Sequence, residues 1–145
     1  MTRGEKAKQL FEEGFNCSQA VFLAFEDIIG MDRETAIRVS AGFGGGFGRM
    51  REICGAVSGM VAVISFANAC TDPNDHEKKK ALYSLIQQAM NEYKAENGSY
   101  ICRELLGLAQ GASSPEPEKR TAEYHKKRPC GELCRCAAEI AEKYI

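Results

Sequence analysis

Cysteine is the residue type best able to do chemistry in this sequence. The 145-residue chain carries seven, at positions 17, 54, 70, 102, 130, 134 and 136. A thiolate binds metals and attacks sulfur, and this many cysteines in a reducing compartment point to metal or redox chemistry rather than a disulfide framework. Their positions divide them into two groups. Cys17 follows Asn16, Cys54 follows a glycine run, Cys102 lies three residues beyond Ser99, and Cys130 follows Pro129. Each of these falls in the first turn of a helix expected from the sequence, where free backbone N–H groups and the positive end of the helix dipole favour thiolate over thiol. Cys70, at the end of one helix, and Cys134 and Cys136, inside another, read as small apolar side chains. Cys134 shares a face with Cys130 and is the reserve ligand. No pair forms C-x-x-C, which removes the zinc-ribbon and thioredoxin motifs.

The elements that must position these sulfurs are helical. Apolar residues recur at spacings of three and four, and period-two alternation never lasts, so the expectation is an all-α fold with residues 1–145 forming one compact domain. Residues 42–48 hold five glycines, which suit a sharp turn and a close approach rather than a helix. Residues 53–70 follow without a single charge. They read as a central helix buried on nearly every side, and their glycine, serine and asparagine interruptions argue against a membrane span. Around it the sequence predicts helices over 2–13, 16–30, 32–42, 76–96, 100–106 and 131–144, with Asn16 and Gln19 in a capping box. Residues 108–129 form a long irregular connection calling for function or hidden structure, with a polar helix over 118–127.

A formal net charge of −1 leaves no general footprint for nucleic acid or an anionic membrane. Residues 1–8 are charged where a signal peptide needs an apolar core, so the expected location is cytoplasmic. The glycine run lacks the Lys-Ser/Thr ending of a phosphate loop. His76 and His125, the only histidines, lie in polar stretches and do not suggest a Cys-His pair. Arg49 and Arg51 are expected to face solvent, the alternative being that they meet an anionic substrate near Cys54; the run Glu77-Lys78-Lys79-Lys80 is expected to be a solvated face.

Several segments resemble the C-GCAxxG-C-C family of redox-active proteins: residues 14–21 around Asn16-Cys17-Ser18, Gly44 to Gly48 leading to Cys54-Gly55-Ala56-Val57-Ser58-Gly59, and then Cys102 and Cys130. The resemblance implies that Cys17, Cys54, Cys102 and Cys130 are the functional set. A similar module occurs in split-Soret cytochromes with an iron–sulfur cluster. This chain lacks a C-x-x-C-H haem attachment sequence, so only the cluster half of that comparison transfers.

Three functions follow as expectations. The first is electron transfer by an iron–sulfur cluster of the two-iron type, bound by those four cysteines. The second is a metal-free thiol–disulfide cycle with Cys54 as the low-pKa attacking thiol. The third is a helical binding module stabilised by zinc on the same four cysteines.

Overall fold

Capping signals in the sequence set the first helices. A computed structural model describes residues 1–109 and 111–145. Thr2 and Glu5 form a reciprocal capping box at the start of α1 (Arg3–Glu12), and Asn16 and Gln19 form another at α2 (Cys17–Leu23). Each box satisfies two backbone N–H groups that a helix start leaves orphaned. The expected helix over 16–30 is broken in two. Phe25 leaves helical geometry at φ −117° and ψ 21°, and α3 (Glu26–Ile29) resumes beyond it. The cause is Arg3, whose Nη1 donates to the Ala24 carbonyl at 2.9 Å; a side chain inserted into the helical ladder ends or kinks it. Gly30, at φ 67°, stops α3, and Asp32 caps α4 (Arg33–Ser40).

After the glycine run comes α5 (Gly55–Asn68), shorter at both ends than residues 53–70. Ala56, Val57, Met60, Val63 and Ile64 are fully buried. The expectation of burial on nearly every side needs correction: Ser58, Val61 and Ala62 are half-buried and Phe66 is exposed. Ser58, Val61 and Ala62 border an apolar groove of about 380 Å³, shared with Phe43, Phe47, Ile86 and Met90. A run without charges shows that no side of a helix demands water, but not that every side meets protein.

Asp75 caps α6 (His76–Asn97), and Gly98 ends it in the left-handed region. Its residues 77–80 are exposed as expected. Three more helices follow: α7 (Cys102–Leu105), α8 (Ala122–Lys127) and α9 (Cys130–Glu142). The expected polar helix over 118–127 is thus reduced to its second half. The amphipathic α9 buries Leu133, Cys134, Ala137, Ala138, Ile140 and Ala141, lying along α1 and against α5. The fold is all-α. Among the described residues the only strand-like pairing is an isolated antiparallel bridge between Ile53 and Ile101, and no helix is long and apolar enough to cross a membrane.

α2 crosses closely over the first turns of α5. A Cβ at Gly59 would lie 2.8 Å from the Ser18 carbonyl oxygen and 2.9 Å from Val21 Cβ, inside ordinary contact range. In an open helix, Gly→Ala gains about 1 kcal/mol. At this crossing we expect Gly59→Ala to destabilise the chain by about 1–3 kcal/mol through overpacking. The expected readout is a lower urea midpoint at unchanged m-value; a higher midpoint would contradict the close crossing.

Candidate functional site

Cys54 and Cys102 are set side by side by backbone pairing. The Cys54 N–H donates to the Tyr100 carbonyl at 2.9 Å, the Cys102 N–H to the Glu52 carbonyl at 2.5 Å, and the Arg103 N–H to the Arg51 carbonyl at 3.2 Å. Cys54 is the N-cap of α5, while Cys17, Cys102 and Cys130 are the first residues of α2, α7 and α9. Each of the four cysteines therefore lies at a helix start, as expected, although the central helix and α7 each begin two residues later than the sequence suggests. The four cysteines line one cavity of about 390 Å³.

The other three cysteines lie elsewhere. The Cys70 thiol donates to the Asp72 carbonyl, and the Cys136 thiol to Glu96 Oε2 at 2.9 Å. Cys134, the reserve ligand, is fully buried with its sulfur 3.8 Å from the Cys17 carbonyl oxygen. It supports Cys17 from behind rather than lining the cavity. All seven are free thiols. Among the described residues, no three Cys, His, Asp or Glu side chains are gathered as the ligands of a single ion would be.

The glycine run forms the cavity wall through a left-handed turn. Gly45, Gly46, Phe47, Gly48 and Arg49 have φ of 67°, 72°, 68°, 58° and 67°, and Arg51 follows at 62°. Glycine adopts these angles freely, whereas a residue with a Cβ is strained there by about 1–3 kcal/mol. A Cβ on Gly46 would sit 2.6 Å from the Glu52 nitrogen and 2.8 Å from Cys102 Cβ, so the turn folds against Cys102 only with glycine at that position. A Cβ on Gly55 would overlap the Cys17 sulfur. The Gly45 backbone favours the thiolate form of Cys17, and both residues line the cavity.

The same turn corrects the expectation for the arginines. Arg51 is only 5% exposed. Its Nε donates to Ser113 Oγ at 2.9 Å and its Nη1 to Cys102 Sγ at 3.5 Å. Arg49 lies beside it, with Nε donating to the Ser114 carbonyl at 2.7 Å. Both arginines line the cavity because left-handed backbone directs them beneath the residues around 113–118 instead of outward.

Sequence reasoning missed the opposite wall, supplied by the connection over 108–129, of which Gln110 lies outside the described residues. Arg120 donates to the carbonyls of Phe11 and Phe15, with its guanidinium 4.0 Å from the Phe11 ring centroid and 5.2 Å from that of Tyr124. Arg128 pairs with Glu118 at 2.7 Å. Arg120, Arg128, Tyr124, Glu118 and two prolines, Pro115 and Pro117, all line the cavity. The length of this connection was the available signal; nothing in its sequence marked the individual residues.

Burial, rather than the helix starts, dominates the thiols. Desolvation, followed by the neighbouring Cys17, pushes the Cys54 thiol up to about 12. Cys130 is likewise pushed up to about 12, by burial and then by Cys17, Cys54 and Cys102. Burial also raises Cys17, against the opposing pull of the Gly45 backbone. The expectation of a low-pKa Cys54 is therefore reversed in the metal-free chain. Two of the four helices have only 7 and 4 residues, and the partial charge at a helix start is small beside the cost of enclosing a thiolate. The mutual effects show that these groups feel one another across the cavity.

Over residues 15–144 the chain matches the family described as "Putative redox-active protein (C_GCAxxG_C_C)". The chain belongs to the C_GCAxxG_C_C family. No curated protein and no solved structure matches it. In the segment Cys54-Gly55-Ala56-Val57-Ser58-Gly59 the two glycines have distinct physical reasons: the first makes room for the Cys17 sulfur, the second for the α2 backbone.

These thiols shift upward on folding, so their burial stabilises the folded chain below the ordinary thiol value of 9.0 and that contribution is lost as pH rises toward 12. In the metal-free chain we expect alkylation of Cys54 and Cys130 to be slow at pH 7 and to rise about tenfold per pH unit through pH 9. Mass spectrometry of the labelled peptides checks this; a rate already level at pH 8 would contradict it.

Proposed function

We propose that the protein transfers electrons through an iron–sulfur cluster held by Cys17, Cys54, Cys102 and Cys130. The observation that carries this reading is the convergence of four cysteines, from four separate helix starts, on one cavity also lined by four arginines and one glutamate. Four thiolates complete the coordination of a two-iron or four-iron cluster. The lining fits such a group in three respects: its sulfur donors match, glycine leaves space beside Cys17, and its positive excess suits a negative occupant.

The two other readings draw less support. A single zinc ion needs its four sulfurs on one tetrahedron, each about 2.3 Å from the metal, whereas a cavity of about 390 Å³ suits a larger polynuclear group. A metal-free thiol cycle needs an activated thiolate, opposite to the raised pKa of Cys54.

When bound, the cluster would supply a one-electron couple. The residues of the chain do the rest. The four thiols release their protons on loading, so binding strengthens as pH rises. The Arg51 guanidinium donates toward the sulfur of Cys102, and a bond of this kind tunes a potential. Arg120 ties the connection over 108–129 to the end of α1, holding that wall of the cavity in place.

Anaerobic loading with ferric iron and sulfide, followed by gel filtration, tests the proposal. The wild type is expected to retain both and to absorb in the visible. Cys→Ser at 17, 54, 102 or 130 should each reduce retained iron several-fold, while Cys70→Ser and Cys136→Ser should leave it unchanged. Zinc retained in preference to iron, or equal iron in all variants, would overturn the assignment.

A further inference from the structure

We propose that Arg51 is a positioning residue of the cysteine cavity: acting through Cys102, it secures a negatively charged occupant and favours that occupant's reduced state. This inference rests on reading the cavity as a cluster site. Its basis is a buried cation without a counter-charge. Arg51 is 5% exposed, yet it forms no ion pair with a carboxylate among the described residues, and its side-chain partners are the Ser113 hydroxyl and the Cys102 sulfur. The other arginines of the cavity are provided for. Arg49 and Arg128 share Glu118, while Arg120 rests on two carbonyls and two aromatic rings.

Burying an unpaired charge is strongly unfavourable, and the backbone adds to the cost. Arg51 has a φ of 62°, a strained angle for a side chain of this kind. It is held there by its own N–H, which donates to the Gly45 carbonyl at 3.1 Å, and by its carbonyl, which accepts from Arg103 N–H at 3.2 Å. The arrangement makes physical sense if the missing negative charge arrives with the occupant. Iron, sulfide and four thiolates make a doubly negative group that becomes triply negative on reduction. Reduction adds one electron and no proton, with dithionite as the donor in the test below. A fixed guanidinium beside Cys102 stabilises the triply negative state more, and an N–H to sulfur bond acts in the same direction.

Arg51→Met therefore has opposite effects on the empty and loaded protein. In the metal-free chain it removes an uncompensated buried charge, and the apparent melting temperature is expected to rise by about 3 °C. In the loaded chain it should shift the one-electron equilibrium at least tenfold toward the oxidised state, about 59 mV lower in potential, or lose iron that wild type retains. Arg51→Lys should recover part of either effect. A redox titration followed by visible absorption, with thermal melts of the metal-free chains, reads both. An unchanged potential in loaded Arg51→Met, or a metal-free variant less stable than wild type, overturns the role of Arg51 alone. A wild-type chain that takes up no iron overturns the cluster reading and this inference with it.

Discussion

The absence of side chains at two positions on α5 governs the geometry of the whole site. Gly55 gives up its Cβ to the Cys17 sulfur, and Gly59 gives up its own to the Ser18 carbonyl and Val21. With both spaces open, α2 can lie across the start of α5, bringing Cys17 and Cys54 to the same cavity although they are separated by four other helical or turn segments. Everything else at the site is built against that crossing. The left-handed glycine turn closes one side, the pairing of residues 51–54 with 100–103 fixes Cys102, and α9 delivers Cys130. A methyl group at either glycine would separate the two helices, so the same contact that packs the core also brings Cys17 and Cys54 to one cavity.

The electrostatics of the cavity follow from a contest between burial and charge. Enclosing sulfur away from water raises the pKa of Cys17, Cys54 and Cys130. Short helices do little to offset this. The positive charge comes instead from guanidinium groups, and four arginines against one glutamate leave an excess of three positive charges in the lining. Such a lining favours any process that makes the contents more negative. The chain thus sets raised pKa values at Cys17, Cys54 and Cys130 against a lining whose positive excess favours negative contents.

Much of this was legible in the sequence because the signals were local. Asn16 and Gln19 state a helix start in four residues, Gly98 states an end, and the cysteines at 17, 54, 102 and 130 could be placed against those marks. The misses have non-local causes. The kink at Phe25 depends on Arg3 reaching the Ala24 carbonyl from another helix. The inward direction of Arg49 and Arg51 depends on a left-handed run that no composition rule assigns to non-glycine residues. The part played by Arg120 and Tyr124 depends on an irregular connection folding back over the end of α1. The open side of α5 shows the same limit in reverse, since hydrophobicity along the chain does not say which neighbour will cover it.

The central claim is that these four cysteines share one polynuclear metal centre. X-ray absorption at the iron edge of the anaerobically loaded protein tests it most directly. The account predicts a first shell of sulfur alone and a second iron at bonding range of the cluster. An iron shell of oxygen or nitrogen, or iron without an iron neighbour, would contradict it.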